Sequence, residues 1–515
     1  MRTIFVIFDS LVRNALESYG GTSIATPNFR RFSERAITFD NHFAGSLPCM
    51  PARRDMHTGR LNFLHRSWGP LEPFDQSFSE LLRSQGTYTH LISDHYHYWE
   101  DGGATYHNRY SSWDFIRGQE WDKWKAMVKP PMERFKTMYH AMQQPEGAED
   151  GRLQAMINRE YVRDENDFCC PRSFASAFEF LDTNRDADDW LLHLECFDPH
   201  EPFFAPARFR EQYPSGYTGP ILDWPRYKRA EESEDEIKEL RSNYAALLAM
   251  CDEYFGKLID YLDEHDMWKD TAVVLTTDHG FLLAEHDWWG KNRMPFFNEI
   301  AHIPLIIHHP AYAEQAGTRR KALTQTTDIM PTLLDCHGMA PPHTVEGHSL
   351  LPVLAEDAPL REALLYGMFG AGTNITDGRY TYFCYPEDMT RQMLYEYTLM
   401  PMHLKGLFHV DELRQAELTS GFGFSQGVPL LKVPARRNVK GQPVGHRGQG
   451  GGYEDTTTVL YDLETDYEQQ HPFRDEAIEN RLLTSMSKIM EANEAPAEAF
   501  TRLGLPSPWA PAGQH

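Results

Sequence analysis

Apolar positions along the chain fall into two rhythms. The runs "RTIFVIFDS" (2–10), "YTHLISDH" (88–95), "DDWLLHLECFDPH" (188–200) and "DTAVVLTTDHG" (270–280) are apolar nearly throughout, and each ends in acidic, hydroxyl or imidazole side chains. Between them lie helical patterns, the longest being "EIKELRSNYAALLAMCDEYFGKLIDYLDEH" (236–265). An unbroken apolar run bounded by polar residues predicts a strand buried on both faces. Strands of that kind alternating with helices predict an α/β fold, a large mainly parallel sheet sandwiched by helices. After the first run, "VRNALESYG" predicts a helix stopped by Gly20 and Gly21. Sheets of this class bind ligands beyond the carboxyl ends of their strands. Asp9, Asp94, His95, His200, Asp278 and His279 all fall there.

The rhythm breaks twice. Residues from about 100 to 170, with the aromatic-rich "WDFIRGQEWDKWKAMVKPPMERF", are expected to be an insertion that walls the mouth of a site. From about 365 the pattern turns to short strands, "GRYTYFCYP" and "TTTVLYDLETD", with a closing helix at "EAIENRLLTSMSKIMEAN". The expected division is therefore a catalytic α/β domain over 1–365 and a smaller α+β domain with an antiparallel sheet over 366–515. Within the second, the polar, glycine-rich stretch 400–455 predicts a surface loop, or an arm between subunits of a homo-oligomer.

Composition narrows the function classes. A chain of 515 residues with 41% hydrophobic content can bury a large core. The net charge of −25 is spread through the sequence without a basic stripe, which argues against a nucleic-acid partner. Seven cysteines with no C-x-x-C pair form neither a disulfide framework nor a zinc motif. The apolar start "TIFVIF" is too short for a signal-peptide core, and no run approaches membrane-spanning length. These features predict a cytoplasmic protein with no membrane partner.

Two carboxylates and an imidazole at strand ends, Asp9 with Asp278 and His279, suit a divalent cation that keeps positions open for substrate. Taken singly, each aspartate is equally at home capping a helix. Cys49, in "GSLPCMPARRDMHTGR", sits at the mouth of a predicted helix with Arg53 one turn on. A lone cysteine is most often a packed thiol, but a helix N-terminus and a nearby arginine both lower a thiol pKa, and together they favour a bound anion.

The segment "CMPAR" followed by "TGR" resembles the sulfatase signature C-x-P-x-R with its downstream T-G-R. "TPNFRRFSERAITFDNHFAGSLPCMPAR", "TTDHGFLLAEHDWWGKN", "TTDIMPTLLDCHGM", "GHSLLPVL" and "LYDLETDYEQQHPF" are similar to that family's other landmarks, in order, leaving 100–165 and 395–455 outside the resemblance. The resemblance implies an alkaline phosphatase-like fold in which Cys49 is converted by a maturation enzyme to formylglycine. The hydrated aldehyde then attacks sulfur with one hydroxyl. Deprotonation of the other expels sulfate by breaking a carbon–oxygen bond. Carried over residue by residue, it implies Asp9, Asp278, His279 and the modified Cys49 as ligands of one divalent metal, with Arg53 orienting the formylglycine. Lys291 would bind the sulfate, and His200 would contact the transferring group or the leaving oxygen.

Departures from the family pattern shape the remaining expectations. Asp9 is followed by Ser10 where many sulfatases have a second aspartate, and Asp278 by His279 where an asparagine is common. That donor set leaves Mn2+ or Ca2+ as the ion and resembles the set of phosphonate monoester hydrolases. In "SDHYHYWEDGG", His95 and His97 stand where sulfatases place substrate-binding residues, with packing under a loop as the alternative for each. The expected activity is hydrolysis of a small or aromatic sulfate monoester, a small anionic ester substrate. Phosphonate monoester or phosphodiester hydrolysis at the same site is the runner-up, and a catalytically inert binding protein is the different-class alternative.

Overall fold

The computed structural model of the protein describes residues 1–147, 150–438, 440–444 and 452–509. Its main sheet has eight strands: β1 (Arg2–Phe8), β2 (Ile37–Phe39), β3 (Tyr88–Ser93), β4 (Ser112–Phe115), β5 (Trp190–Cys196), β6 (Thr271–Thr276), β7 (Leu305–His308) and β8 (Arg319–Arg320). Their order across the sheet is β8-β2-β7-β6-β1-β5-β3-β4. Only β7 runs antiparallel to its neighbours. β1, which begins the chain, is the central strand, paired with β5 on one side and β6 on the other. Its unbroken apolar sequence follows from that position: Ile4, Val6 and Phe8 point into one core, Phe5 and Ile7 into the other.

The helices that cover the sheets include α1 (Pro27–Arg35), α2 (Cys49–Thr58), α3 (Cys169–Thr183), α4 (Glu234–Glu264), α5 (Ile329–Cys336) and α6 (Glu476–Ala492). The first core joins β1 to α1, α3 and α4 through Phe29, Phe32, Phe174 and Phe255. The second joins it to α2 and α5 through Met50, Met56, Ile329 and Leu333. α4 starts where Ser233 accepts from the Glu236 backbone while Glu236 reaches back to Ser233 N–H, a reciprocal cap.

Three sequence expectations come out differently. "VRNALESYG" forms two short 3-10 turns, Arg13–Ala15 and Glu17–Tyr19, instead of a helix. Side chains take the backbone groups a helix would use: the Val12 N–H donates to the Tyr244 hydroxyl and the Glu17 N–H to Thr26 Oγ1. Within the stretch read as an insertion, β4 joins the main sheet as its edge, parallel to β3, whereas Glu120, Trp121, Glu146 and Arg152 of the same stretch do wall the cavity at Cys49. The stretch 400–455 folds back on its own chain: Glu417–Thr419 and Leu430–Pro434 pair with Tyr395–Thr398 in a three-stranded sheet. Residues 439 and 445–451 of that stretch lie outside the described residues.

A four-stranded antiparallel sheet, Leu364–Gly367, Thr373–Thr376, Tyr380–Cys384 and Val459–Asp462, packs under α6. It also braces the loop that leads into α2. The Leu47 N–H donates to Gly367 O at 2.8 Å, and the Gly367 N–H to Gly45 O at 3.0 Å. At the other end of α2, Gly59 takes the left-handed conformation (φ 67°) that closes the helix, and a Cβ there would meet Val345 at 2.6 Å. The glycine of T-G-R is thus required by the turn that ends the helix.

On α2, the His57 ring stacks on Phe78, its nitrogens have no partner among the described residues, and burial pushes its pKa down to about 3. The unfolded chain takes up this proton below about pH 6.5, and the folded one does not. The stability His57 confers is therefore complete above pH 6.5 and is lost as pH falls toward 3. His57→Phe is expected to lose ~2 kcal/mol less than the parent between pH 7.5 and pH 5 in urea unfolding. Equal losses in the two proteins would contradict the assignment.

Candidate active site

At the carboxyl edge of the sheet, Asp9 follows β1, Glu195 lies at the end of β5 and Asp278 follows β6. Arg53, from α2, reaches all three: Nη2 donates to Asp9 Oδ2 at 2.9 Å, Nε to Glu195 Oε1 at 2.5 Å and Nη1 to Asp278 Oδ2 at 2.5 Å. All four side chains are buried. Burial works against buried charge, and it raises the Glu195 pKa despite Arg53. Asp9 is held well below the usual carboxylate range by Lys291 and Arg53, and Arg53 well above its ordinary value by Glu195, Asp278 and Asp9. The guanidinium is taken up by these carboxylates, where the sequence expectation had it reaching back to an anion.

Cys49 opens α2. Among the described residues no side chain caps its first turn, and Pro48 and Cys49 line a cavity. Cys49 Sγ lies 3.1 Å from His279 Nε2. Burial drives its pKa well above the ordinary thiol value, helped by Asp9 and Asp278 and opposed by Lys291 and Arg53. The expected lowering of this pKa is thus reversed: the nearby arginine is neutralised, and desolvation wins. As an unmodified thiol, Cys49 is a protonated group and a poor nucleophile.

Asp9, Cys49, Asp278 and His279 each offer one ligand atom, and these atoms all lie within 4.8 Å of one another. The His279 Nδ1 is 2.8 Å from Gly280 O, an acceptor, so the proton is assigned to Nδ1. Nε2 then presents its lone pair 3.2 Å from Asp278 Oδ2. The Cys49 thiol faces the same lone pair at 3.1 Å, and two carboxylates with an imidazole are a donor set suited to a divalent cation. Ser10, in the left-handed region (φ 61°), donates its hydroxyl to Asp9 Oδ1 at 2.8 Å and accepts from Lys291 Nζ at 3.0 Å. The hydroxyl that replaces a second aspartate thus links the lysine to the first. Burial opposes the charge of Lys291, but the carboxylates of Glu201, Asp9 and Asp278 keep it cationic.

The cavity above Cys49 has a volume of about 540 Å3, and His97, His200 and Lys291 also line it. His200 Nδ1 is 2.5 Å from Glu201 O, and burial, then Lys291, pushes its pKa well below the ordinary histidine value. His97 is hydrogen-bonded to Glu100 Oε2 at 2.6 Å. His95 is placed deeper, its Nε2 3.3 Å from Met50 Sδ and its ring stacked on Phe197. Sequence reasoning missed Glu195, although a charged residue inside the apolar run "WLLHLEC" was a signal for it. It also missed Trp68, Glu120, Arg152, Glu201 and Tyr227 on the cavity wall, which carry no motif.

Residues 2–339 match the model of the sulfatase family, and residues 284–420 match that of the N-sulphoglucosamine sulphohydrolase C-terminal region. The chain belongs to the sulfatase family. This sulfatase, a member of the alkaline phosphatase superfamily, is 28% identical over 377 residues to the multifunctional alkaline phosphatase superfamily protein PehA of Trinickia caryophylli, covering 65% of this chain and 72% of that one. It is 25% identical to N-acetylglucosamine-6-O-sulfatase of Bacteroides thetaiotaomicron, covering 70% and 73% of the two chains. Among solved structures, the phosphonate monoester hydrolase of Agrobacterium radiobacter superposes with a TM-score of 0.62 at 17% identity, covering 96% of this chain and 95% of that one. A protein solved with its substrate D-glucosamine-2-N,6-O-disulfate superposes with a TM-score of 0.63 at 16% identity, covering 97% and 99%. Both share the alkaline phosphatase-like α/β architecture.

Replacing Arg53 by methionine leaves three buried carboxylates facing one another. The Arg53→Met variant, freed of metal with a chelator, is expected to lose ~3–5 kcal/mol of stability in urea unfolding. A loss under ~1 kcal/mol, the range of an exposed pair, would contradict a buried charge cluster.

Proposed function

We propose that this sulfatase hydrolyses sulfate monoesters with a formylglycine made from Cys49 and one divalent ion, Mn2+ or Ca2+. What carries the reading is the convergence of Asp9, Asp278, His279 and Cys49 within 4.8 Å, beside the cavity that Lys291 and His200 line. Asp9, Asp278, His279 and the modified residue 49 would hold the ion, which when bound supplies positive charge for the anionic ester and the nucleophile. The carboxylates of Asp9, Asp278, Glu195 and Glu201 outnumber the cations Arg53 and Lys291, so a divalent ion offsets a net negative centre where a monoanion is to bind.

In this reading Arg53 fixes the carboxylates around position 49, and Lys291 binds the non-bridging sulfate oxygens. His200, its Nδ1–H held by Glu201 O, faces the ester with the Nε2 lone pair, so it first takes the proton released by the attacking hydroxyl of the modified residue 49 and then passes that proton to the leaving oxygen. His97 contacts the substrate from the cavity wall, and His95 supports it from below. Because Cys49 is only 3% exposed, conversion by a maturation enzyme must precede closure of the fold around it.

A second reading, phosphonate monoester or phosphodiester hydrolysis at the same site, is supported by the PehA relative, named as multifunctional. A phosphate diester and a sulfate monoester both carry one negative charge, so the same cations serve both. Parallel turnover of 4-nitrophenyl sulfate and phenylphosphonate monoesters ranks the two. A much higher kcat/KM for the phosphonate would put the second reading first.

Cys49→Ala is expected to abolish turnover, and the peptide carrying residue 49, from a host with the maturation activity, is expected to show the mass of an aldehyde in place of a thiol. Persistent turnover, or only the unmodified thiol in active protein, would refute the reading. His200→Ala is expected to lower kcat for alkyl sulfates by ~10²–10⁴-fold, and much less for 4-nitrophenyl sulfate, whose leaving group needs no proton. Equal losses would remove His200 as the acid.

A further inference from the structure

The cavity wall away from Cys49 carries cations of two kinds. Arg226, Lys228 and Arg293 are each matched by a carboxylate: Glu146 at 2.7 Å, Glu232 at 3.1 Å and Glu454 at 2.6 Å. Arg152 and Lys405 are not. Among the described residues, the Arg152 guanidinium makes no hydrogen bond and no ion pair, and its Nε is buried without a partner. It lies over the Trp224 ring at 4.8 Å. The Lys405 ammonium, likewise without an ion pair, lies over Trp68 and Trp121 at 5.3 and 5.0 Å. An indole face holds a cation by about 0.5–1 kcal/mol at an exposed site, which is less than one charge-assisted hydrogen bond supplies. Both side chains are therefore placed in the cavity with their donors unspent.

The carboxylates nearby do not bond to them: Glu100, on which the charge of Lys405 acts, is hydrogen-bonded to His97 at 2.6 Å. Glu201 accepts from the Tyr227 hydroxyl, and Glu120 accepts from the Tyr96 hydroxyl at 2.6 Å. Burial, with the charge of Glu201 behind it, pushes Glu120 up to about 8, so at neutral pH it carries a proton and no charge. The tryptophans that seat the two cations also exclude water from one side of each, which strengthens any ion pair formed there.

We propose that Arg152 and Lys405 form a second anion subsite, so that the preferred substrates are sulfate esters whose leaving group bears another anionic group, a sulfate or a carboxylate. The proposal rests on reading this cavity as the one that holds the ester near Lys291 and Cys49. The second anion pairs with the Arg152 fork and with the Lys405 ammonium while the ester's own sulfate lies at the Lys291 end. Because these contacts form equally in the ground and transition states, they act through KM and leave kcat for bound substrate to the machinery around residue 49.

Alkane sulfonates test the subsite without turnover, because they are not esters. Calorimetric titration of the full chain at pH 7.5 and low salt compares each monosulfonate with the α,ω-disulfonate of the same length, from two to six carbons. At least one disulfonate is expected to bind ~10-fold or more tightly than its monosulfonate, the value of one charge-assisted pair. In Arg152→Gln that ratio falls to ~2 or below, in Arg152→Lys and Lys405→Gln it is intermediate, and the monosulfonate changes far less than the disulfonate. Equal affinities at every length, an unchanged ratio in Arg152→Gln, or tighter binding of an aminoalkane sulfonate than of the disulfonate would overturn the proposal. The last result would mean that Glu120 and Glu201 recognise a cation instead. Hydrolysis of 4-nitrophenyl sulfate by the same preparation reports the functional reading by itself, so the two can fail separately.

Discussion

One buried arginine ties the site together. Arg53 reaches from α2 to the ends of β1, β5 and β6, three adjacent strands of the main sheet, and bonds a carboxylate on each. The acidic groups in a structure that handles anions would repel one another and the substrate if left alone. Gathered on a single guanidinium, two of the same carboxylates, Asp9 and Asp278, converge with His279 and Cys49 within the span of one cation. The arrangement also fixes Cys49, one turn earlier on the same helix, at the cavity floor.

The rest of the fold holds that helix in place from two directions. The four-stranded sheet bonds to the loop before Cys49, and Gly59 closes the helix behind it. Asp55, in the middle, accepts from the Ser46 N–H at 2.6 Å and hydroxyl at 2.8 Å and from the Asn62 N–H at 2.8 Å, so both flanking loops are pinned to the helix itself. Position 49 is therefore set by backbone and buried polar contacts on every side, as a nucleophile that must meet a metal and an ester in one geometry requires.

Much of this was legible in the sequence. Unbroken apolar runs ending in Asp9, His200 and Asp278 announced a parallel sheet and placed these acidic and imidazole groups at one edge, because strands buried on both faces are mostly apolar along their length. The signature around Cys49 gave the helix and its arginine. What Arg53 touches was not legible, since Glu195 comes from a strand with no motif and its pairing depends on which strands are neighbours. The sign of the Cys49 pKa shift was not legible either: proximity of an arginine says nothing about how many carboxylates already claim it. The helix expected after β1 failed for a related reason, because Tyr244, more than two hundred residues away, supplies the competing hydrogen bond. The cavity wall beyond His200 and Lys291 is assembled from segments near 68, 120, 152, 224 and 405, and only the folded chain brings them together.

The central claim is that one cation binds among the strand-end carboxylates with residue 49 in contact with it. Anomalous diffraction at the manganese edge from crystals grown with Mn2+ tests it most directly. The account predicts a single strong peak within bonding distance of Asp9, Asp278, His279 and the side chain at position 49. A peak elsewhere, or one at this site with residue 49 turned away from the ion, would contradict it.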